Sequence, residues 1–378
     1  MKGFDNVKDP RINELAKNLI NYSTNLQKGE KILIETIGHE IPLTVALIEE
    51  TYKAGGQPFV TLKQGDIQAA LLKNATKEQL QQIGAYEAER MKDMDAYVAI
   101  RINDNSFEMA EIPSAQMKLY KQHWSHPVHH EIRVPHTKWV ILRYPNHSMA
   151  QMANMPTDSF EDFYFSVCNL DYAKMAEAMT PLVELMNKTH RVQLKGPKLD
   201  LSFEITNIPA VKCAGKCNIP DGEVYTAPVK NSLNGHICYN TPALHDGITF
   251  ENITFEFKDG KILKAEAGAN TKRLNEILES DEGARYIGEF ALGLNPNIEK
   301  PIFDTLFDEK IRGSFHLTPG ACYDDAYNGN KSIIHWDLVH IQTPEYGGGE
   351  IYFDDVLVRK DGLFVLPELE GLNPENLR

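Results

Sequence analysis

Over its first half the chain alternates short apolar runs with amphipathic stretches, and no other feature restricts its fold as much. KILIET at 31–36, PFVTL at 58–62, AYVAI at 96–100 and WVILRY at 139–144 read as strands rich in β-formers. Between the first two lies IPLTVALIEETYKAGG, a helical pattern that ends at glycine. Near the start, Asp9 is placed as an N-cap with Pro10 at the first helical position. Ile12, Leu15, Ala16, Leu19 and Ile20 then form an apolar stripe. Strands separated by helices indicate βαβ units around a largely parallel sheet covered on both faces. From about residue 190 the texture changes to short strands (VQLKGP, LDLSFEI, HICYN, KILKAEA) divided by Gly, Asn, Asp and Pro turns, with TKRLNEILES as an amphipathic helix. The expected fold is therefore two-domain α/β plus α+β. Residues 1–190 would form an N-terminal three-layer α/β domain, and 191–378 a C-terminal α+β domain with antiparallel strands. A length of 378 residues suits two cores better than one.

Composition narrows the function. A net charge of −14 argues against nucleic acid and anionic membranes as partners, since both attract basic surfaces. MKGFDNVKDPRINELAK lacks the continuous apolar core of a signal peptide, and no window reads as a membrane span. The 5 cysteines are an odd, sparse set, as expected for reduced thiols in a cytoplasmic protein. Cys213 and Cys217 form an isolated CxxxC, read as two incidental thiols because no second pair follows.

The chemistry concentrates in the second half. SIIHWDLVHI (332–341) resembles a buried strand, yet His335 and Asp337 sit in it on one face, with Trp336 on the other. Polar groups in an apolar strand are costly unless something satisfies them. Further candidates are Asp221 and Glu223 in NIPDGEVYTAP, Glu289 in GEFALGLNPNI, and His316 with Tyr323 in GSFHLTPGACY. Imidazole and carboxylate donors without thiolate suit Zn²⁺, Co²⁺ or Mn²⁺. Glu223, Glu289 and Asp337 bring three negative charges, which two dications and one hydroxide would balance. Each residue also has a structural reading: Glu223 as a solvated turn residue, Glu289 paired with Arg285, His316 as a core histidine, Tyr323 as a packing residue. HWSHPVHH, with His123, His126, His129 and His130, reads as a polar segment, because Pro127 is expected to break any helix carrying a ligand pair.

Those same motifs resemble the M29 metallopeptidases, the family of the aminopeptidase T, aminopeptidase S and PepS enzymes. NIPDGEVYTAPVKNSLNG, IGEFALGLNPNI, the H-x₆-Y of His316 and Tyr323, and S-x-x-HWD ending at Asp337 occur in one co-linear order. RINELAKNLINYSTNLQKGEKILIE, KWVILRYPNHSMAQMANM and GGGEIYFDDVLVRKDGLFV extend the likeness along the chain. The resemblance implies a homodimeric, two-metal aminopeptidase that cleaves the N-terminal residue from short peptides by way of an activated water. By motif, Glu223, Glu289, His316, His335 and Asp337 become the metal ligands. Glu289 becomes the bridging, catalytic carboxylate, and Tyr323 a ligand or transition-state donor. The linker DDAYNGNKSII is shorter than in many relatives, the segment from Glu289 to His316 is compact, and Asp325 replaces a more neutral residue. These departures bear on substrate preference. The alternatives are a two-metal amidohydrolase acting on non-peptide amides, and a non-catalytic metal-stabilised binding protein.

Overall fold

The computed structural model describes residues 9–38, 40–102, 105 and 108–378; the first eight residues of the N-terminal segment read for a signal peptide lie outside the described residues. The chain forms two compact units, Met1–Asn169 with Gly215–Ile219, and Leu170–Ala214 with Pro220–Arg378.

In the first unit, β1 (Lys31–Ile37), β2 (Gln57–Lys63), β3 (Ala96–Arg101) and β4 (Lys138–Arg143) build a parallel sheet in the order β2-β1-β3-β4. The two-residue strand Asn218–Ile219 joins the far edge beside β4. β1 and β3 are buried along nearly their whole length, as parallel strands covered by helices must be. Helix Pro10–Lys17 starts as expected: the Asp9 side chain accepts the Arg11 N–H at 2.9 Å, and Leu15, Ala16, Leu19 and Ile20 are buried. No described helix is long and apolar enough to cross a membrane.

The histidine segment departs from expectation. Residues 114–136 are helical throughout, with π-helical turns at Lys121–Ser125 and His129–Arg133 on either side of His126–Val128. Pro127 lacks an N–H and crowds the preceding turn. The widened turns on both sides absorb that defect, so the helix continues instead of breaking. His126 and His130, which the break was to separate, lie with ring centroids 5.3 Å apart.

The second unit begins with helices Tyr172–Ala178 and Thr180–Lys188, so the division falls at 169/170 and not near 190. Met175, Met179, Leu182 and Met186 are buried, and both helices pack on the turn at Pro367–Leu372. An eight-stranded antiparallel sheet uses strands from 191–204, 234–238, 254–266 and 350–364. A five-stranded antiparallel sheet is ordered β9-β8-β7-β6-β5. Its strands are β5 (Val211–Cys213), β6 (Glu223–Thr226), β7 (Ile287–Gly293), β8 (Ser314–Pro319) and β9 (Leu338–Ile341). Phe203 of the larger sheet meets Phe290 of the smaller edge to face, with ring centroids 5.0 Å apart.

Candidate metal centre

Strand parity assembles the centre. Across β7 and β8, Glu289 opposes Thr318 and Ala291 opposes His316; across β7 and β6, Gly293 opposes Glu223. Opposed residues share a face, so Glu289, His316, Thr318 and Glu223 all project from one side of the sheet. Phe290, Leu292, Phe315, Leu317 and Val224 alternate onto the other side and are fully buried. A register shift between Ile287 and Glu289 places a bulge at Gly288, next to the carboxylate. A Cβ on Gly288 would lie 2.2 Å from the Ala321 carbonyl oxygen, so only glycine permits this approach.

SIIHWDLVHI is not one strand: β9 begins only at Leu338, and His335 forms an isolated bridge to Gly320. Pro319 ends β8, and Gly320 turns away with φ +114°. The predicted alternation of side chains survives. His335 Nε2 lies 3.4 Å from Asp337 Oδ1, while Trp336 turns towards Phe250 with ring centroids 5.2 Å apart. The His335 Nδ1–H donates to the Ala321 carbonyl oxygen at 2.9 Å, which fixes the tautomer and leaves Nε2 facing the carboxylates. Thr318 Oγ1 donates to Asp337 Oδ1 at 2.6 Å.

The donors fall into two triads, Glu223–Glu289–His316 and Glu289–His335–Asp337; within each, the potential ligand atoms lie within 4.8 Å of one another. Glu289 belongs to both. Its Oε1 is 2.9 Å from His316 Nε2 and its Oε2 is 3.5 Å from His335 Nε2. A third group, Cys213–Asp221–Glu223, is already faced by an ammonium. Lys310 Nζ lies 2.5 Å from Glu223 Oε1, 2.8 Å from Glu309 Oε1 and 3.6 Å from Asp221 Oδ1, with its side chain 2% exposed.

The titration of these groups reflects their crowding. Burial alone would depress His316, but its hydrogen bond to Glu289 and the charge of Glu223 push it up to about 9. Burial opposes the charge on His335 too, and Asp337 outweighs it, taking the ring to about 10. Burial works to raise Asp337, yet the His335 charge holds it well below the usual carboxylate range. Burial pushes the Tyr323 phenol up, and Glu289 and Asp337 push it further, so it stays a neutral donor. Tyr323 is 49% exposed, and its ring lies 4.7 Å from that of His335.

The donor set fits a divalent cation. Glu223 Oε2, Glu289 Oε2 and His316 Nδ1 are buried without a hydrogen-bond partner. Leaving such atoms unsatisfied costs about 1–3 kcal/mol each, more when charged. The two orphaned carboxylate oxygens lie on the residues that the triads share or place next to each other. In the metal-free chain, protons on the two imidazoles stand in for part of the missing positive charge, so loading a metal must release them.

Sequence reasoning missed Lys310, Glu309 and Thr318. Thr318 was within reach, since it stands two residues after His316 and must share its face. FDEKIR reads as a solvated charged turn, and nothing local marks its lysine as buried. Asp221, the other carboxylate of the PDGE turn, is 2% exposed; its Oδ1 accepts the Gly222 N–H at 2.9 Å and faces Lys310. Arg285 donates to Asn275 and Glu279, not to Glu289. Among the described residues the histidine segment contributes to no candidate metal group.

Comparison with known proteins agrees with this architecture. AmpT from Thermus thermophilus has a similar fold, with TM-score 0.77 and 20% identity over 94% of this chain and 99% of that one. A 2,5-dihydroxypyridine dioxygenase from Pseudomonas putida KT2440 is also similar, with TM-score 0.59 and 14% identity over 95% and 98% of the two chains. The fold alone therefore does not specify the chemistry. Aminopeptidase AmpS from Bacillus subtilis (strain 168) is 24% identical over 370 residues, 87% of this chain and 88% of that protein. The model of the thermophilic metalloprotease (M29) family matches residues 8–347, and the chain belongs to that family.

Proposed function

We propose that the protein is a metal-dependent aminopeptidase that removes the N-terminal residue from short peptides, with two divalent ions held around Glu289 in the second unit. The observation that carries this reading is the pair of buried triads sharing Glu289, with the Oε2 atoms of Glu223 and Glu289 unsatisfied. Glu223 and His316 complete one ion's set, and His335 and Asp337 the other's. Nitrogen and oxygen donors suit Zn²⁺, Co²⁺ or Mn²⁺. Charge supports two ions: Glu223, Glu289 and Asp337 bring three carboxylates to the two triads, which two dications and one hydroxide would balance.

When bound, such ions acidify water and polarise an amide carbonyl. The chain's own residues hold the donors in place. Lys310 grips Glu223 Oε1 and leaves Oε2 free, Thr318 fixes Asp337, and the Ala321 carbonyl orients His335. Tyr323 stands at the half-exposed rim with its phenol protonated, placed to donate to an oxygen that gains charge. Asp221, a carboxylate beside the triads, is committed to Lys310 and Gly222 and so is not placed to act as a general base. A homodimer, implied by the resemblance, and a cytoplasmic setting, read from the sparse cysteines, belong to the same reading.

The test is turnover of aminoacyl anilides by chelator-stripped protein reloaded with Zn²⁺, Co²⁺ or Mn²⁺. Metal-dependent cleavage of free-amine substrates, abolished by N-acetylation, is the expected result. Cleavage confined to non-peptide amides, or full metal binding without turnover of any anilide, would overturn it.

A further inference from the structure

The histidine segment, which takes no part in the metal centre, lines a cavity of its own. At the carboxyl ends of β1, β2 and β3 a space of about 300 Å³ is bounded by Glu35, Lys63, Arg101, Trp124, His129 and Arg133, among others. In a sheet ordered β2-β1-β3-β4 the connection after β1 goes to one side and that after β3 to the other, and such switch points are where doubly wound folds leave a crevice. The wall of the cavity is the helix at 114–136. Its two π turns carry Trp124 on one and His129 with Arg133 on the other. Turns of this kind re-aim side chains and recur at functional sites.

Among the described residues, the buried hydrogen-bonding capacity left over in this cavity is donor capacity. Glu35 receives Lys63 Nζ at 2.9 Å and the Tyr97 hydroxyl at 2.8 Å. Glu87, beside them, receives Lys63 Nζ at 2.9 Å and Trp124 Nε1 at 2.9 Å. Both carboxylates thus have a partner on each oxygen. The guanidiniums do not. Arg133, 7% exposed, lies over the Tyr97 ring at 3.6 Å and bonds through Nη1 to His129 Nδ1 at 3.3 Å. Its Nε is buried without a partner, and so is that of Arg101. Burial and the neighbouring Arg133 hold His129 down at about 4, so its ring is neutral and Nδ1 can accept from Arg133. Glu108 also borders the cavity, exposed at its rim. Trp124, packed edge to face on Tyr120 at 5.4 Å, gives the space an aromatic side. Unsatisfied N–H donors beside an aromatic wall match an anion with an apolar body.

We propose that this cavity binds a small organic carboxylate, no larger than an amino acid or dipeptide, with its carboxylate held by Arg101 and Arg133 and its body against Trp124. The test soaks crystals of the full-length, metal-loaded protein in 4-bromophenylacetate and follows phenylacetate binding by calorimetry. A bromine peak in this cavity is expected. So is a loss of about 10-fold or more in affinity for R101Q, for R133Q and for neutral phenylacetamide, the scale of one charge-assisted hydrogen bond. R101Q changes a side chain that is not fully buried and keeps the test open should R133Q fold poorly. Inorganic phosphate bound here in place of phenylacetate would overturn the organic class. A bromine peak only at the metal centre, or R101Q and R133Q binding as tightly as wild type, would overturn the site.

Discussion

Replacing Lys310 by Met removes the ammonium buried beside the candidate metal centre. The methionine stem nearly fills the lysine's space, so the change removes charge and little packing. Three carboxylates then lose their ammonium: Glu223 at 2.5 Å, Glu309 at 2.8 Å and Asp221 at 3.6 Å. Removing one partner from a buried ionic cluster costs about 3–5 kcal/mol. For a unit of this size that corresponds to a fall in Tm on the order of 10 °C in metal-free protein. The vacated group of Cys213, Asp221 and Glu223 could then accept a cation itself. Added Zn²⁺ should therefore restore much of the lost stability and raise the metal content above that of the wild type. Differential scanning calorimetry of chelator-stripped protein, with metal analysis after reloading, measures both quantities. A metal-free Tm within about 1 °C of wild type would refute the role given to Lys310.

Three further outcomes follow from the same geometry. Thr318→Val removes the 2.6 Å hydrogen bond to Asp337 and should weaken metal binding about 10–100-fold, with Thr318→Ser restoring it, as titration calorimetry would record. Tyr323→Phe should lower kcat about 100–1000-fold with metal content unchanged, if the phenol donates to the developing charge; steady-state kinetics with parallel metal analysis decides this. In the first unit burial would raise Glu35, but Lys63 and the Tyr97 hydroxyl outweigh it and hold the carboxyl below its ordinary 4.5. A depressed folded-state pKa gives stability that is present above the unfolded value and lost as pH falls through the folded one. Wild-type Tm should therefore drop steadily below about pH 4.5, and Glu35→Gln should flatten that part of the profile.

What the sequence revealed and what it hid divide along physical lines. The central parallel strands β1 and β3 were legible because strands covered on both faces are apolar along their length, as AYVAI is. Glu289 and His316 stood out because a charged or imidazole residue in a fully apolar strand is costly on its own. The alternation of His335, Trp336 and Asp337 was legible even though β9 starts only at Leu338, because extended backbone alternates side chains whether or not it pairs. Lys310 was not legible, since its burial depends on Asp221, Glu223 and Glu309 meeting it from elsewhere in the fold. Pro127 misled because a local rule about proline ignores π turns that relieve the clash. The position of the division between units was hidden for a related reason. Helical periodicity at 172–188 states which face is apolar, and not which unit that face packs on.

Anomalous diffraction from metal-loaded crystals tests the central claim most directly. Two peaks per chain are predicted, one among Glu223, Glu289 and His316, the other among Glu289, His335 and Asp337, roughly 3.5–4 Å apart as in paired hydrolytic centres. A single peak, or peaks at the histidine segment with none at Glu289, would contradict it.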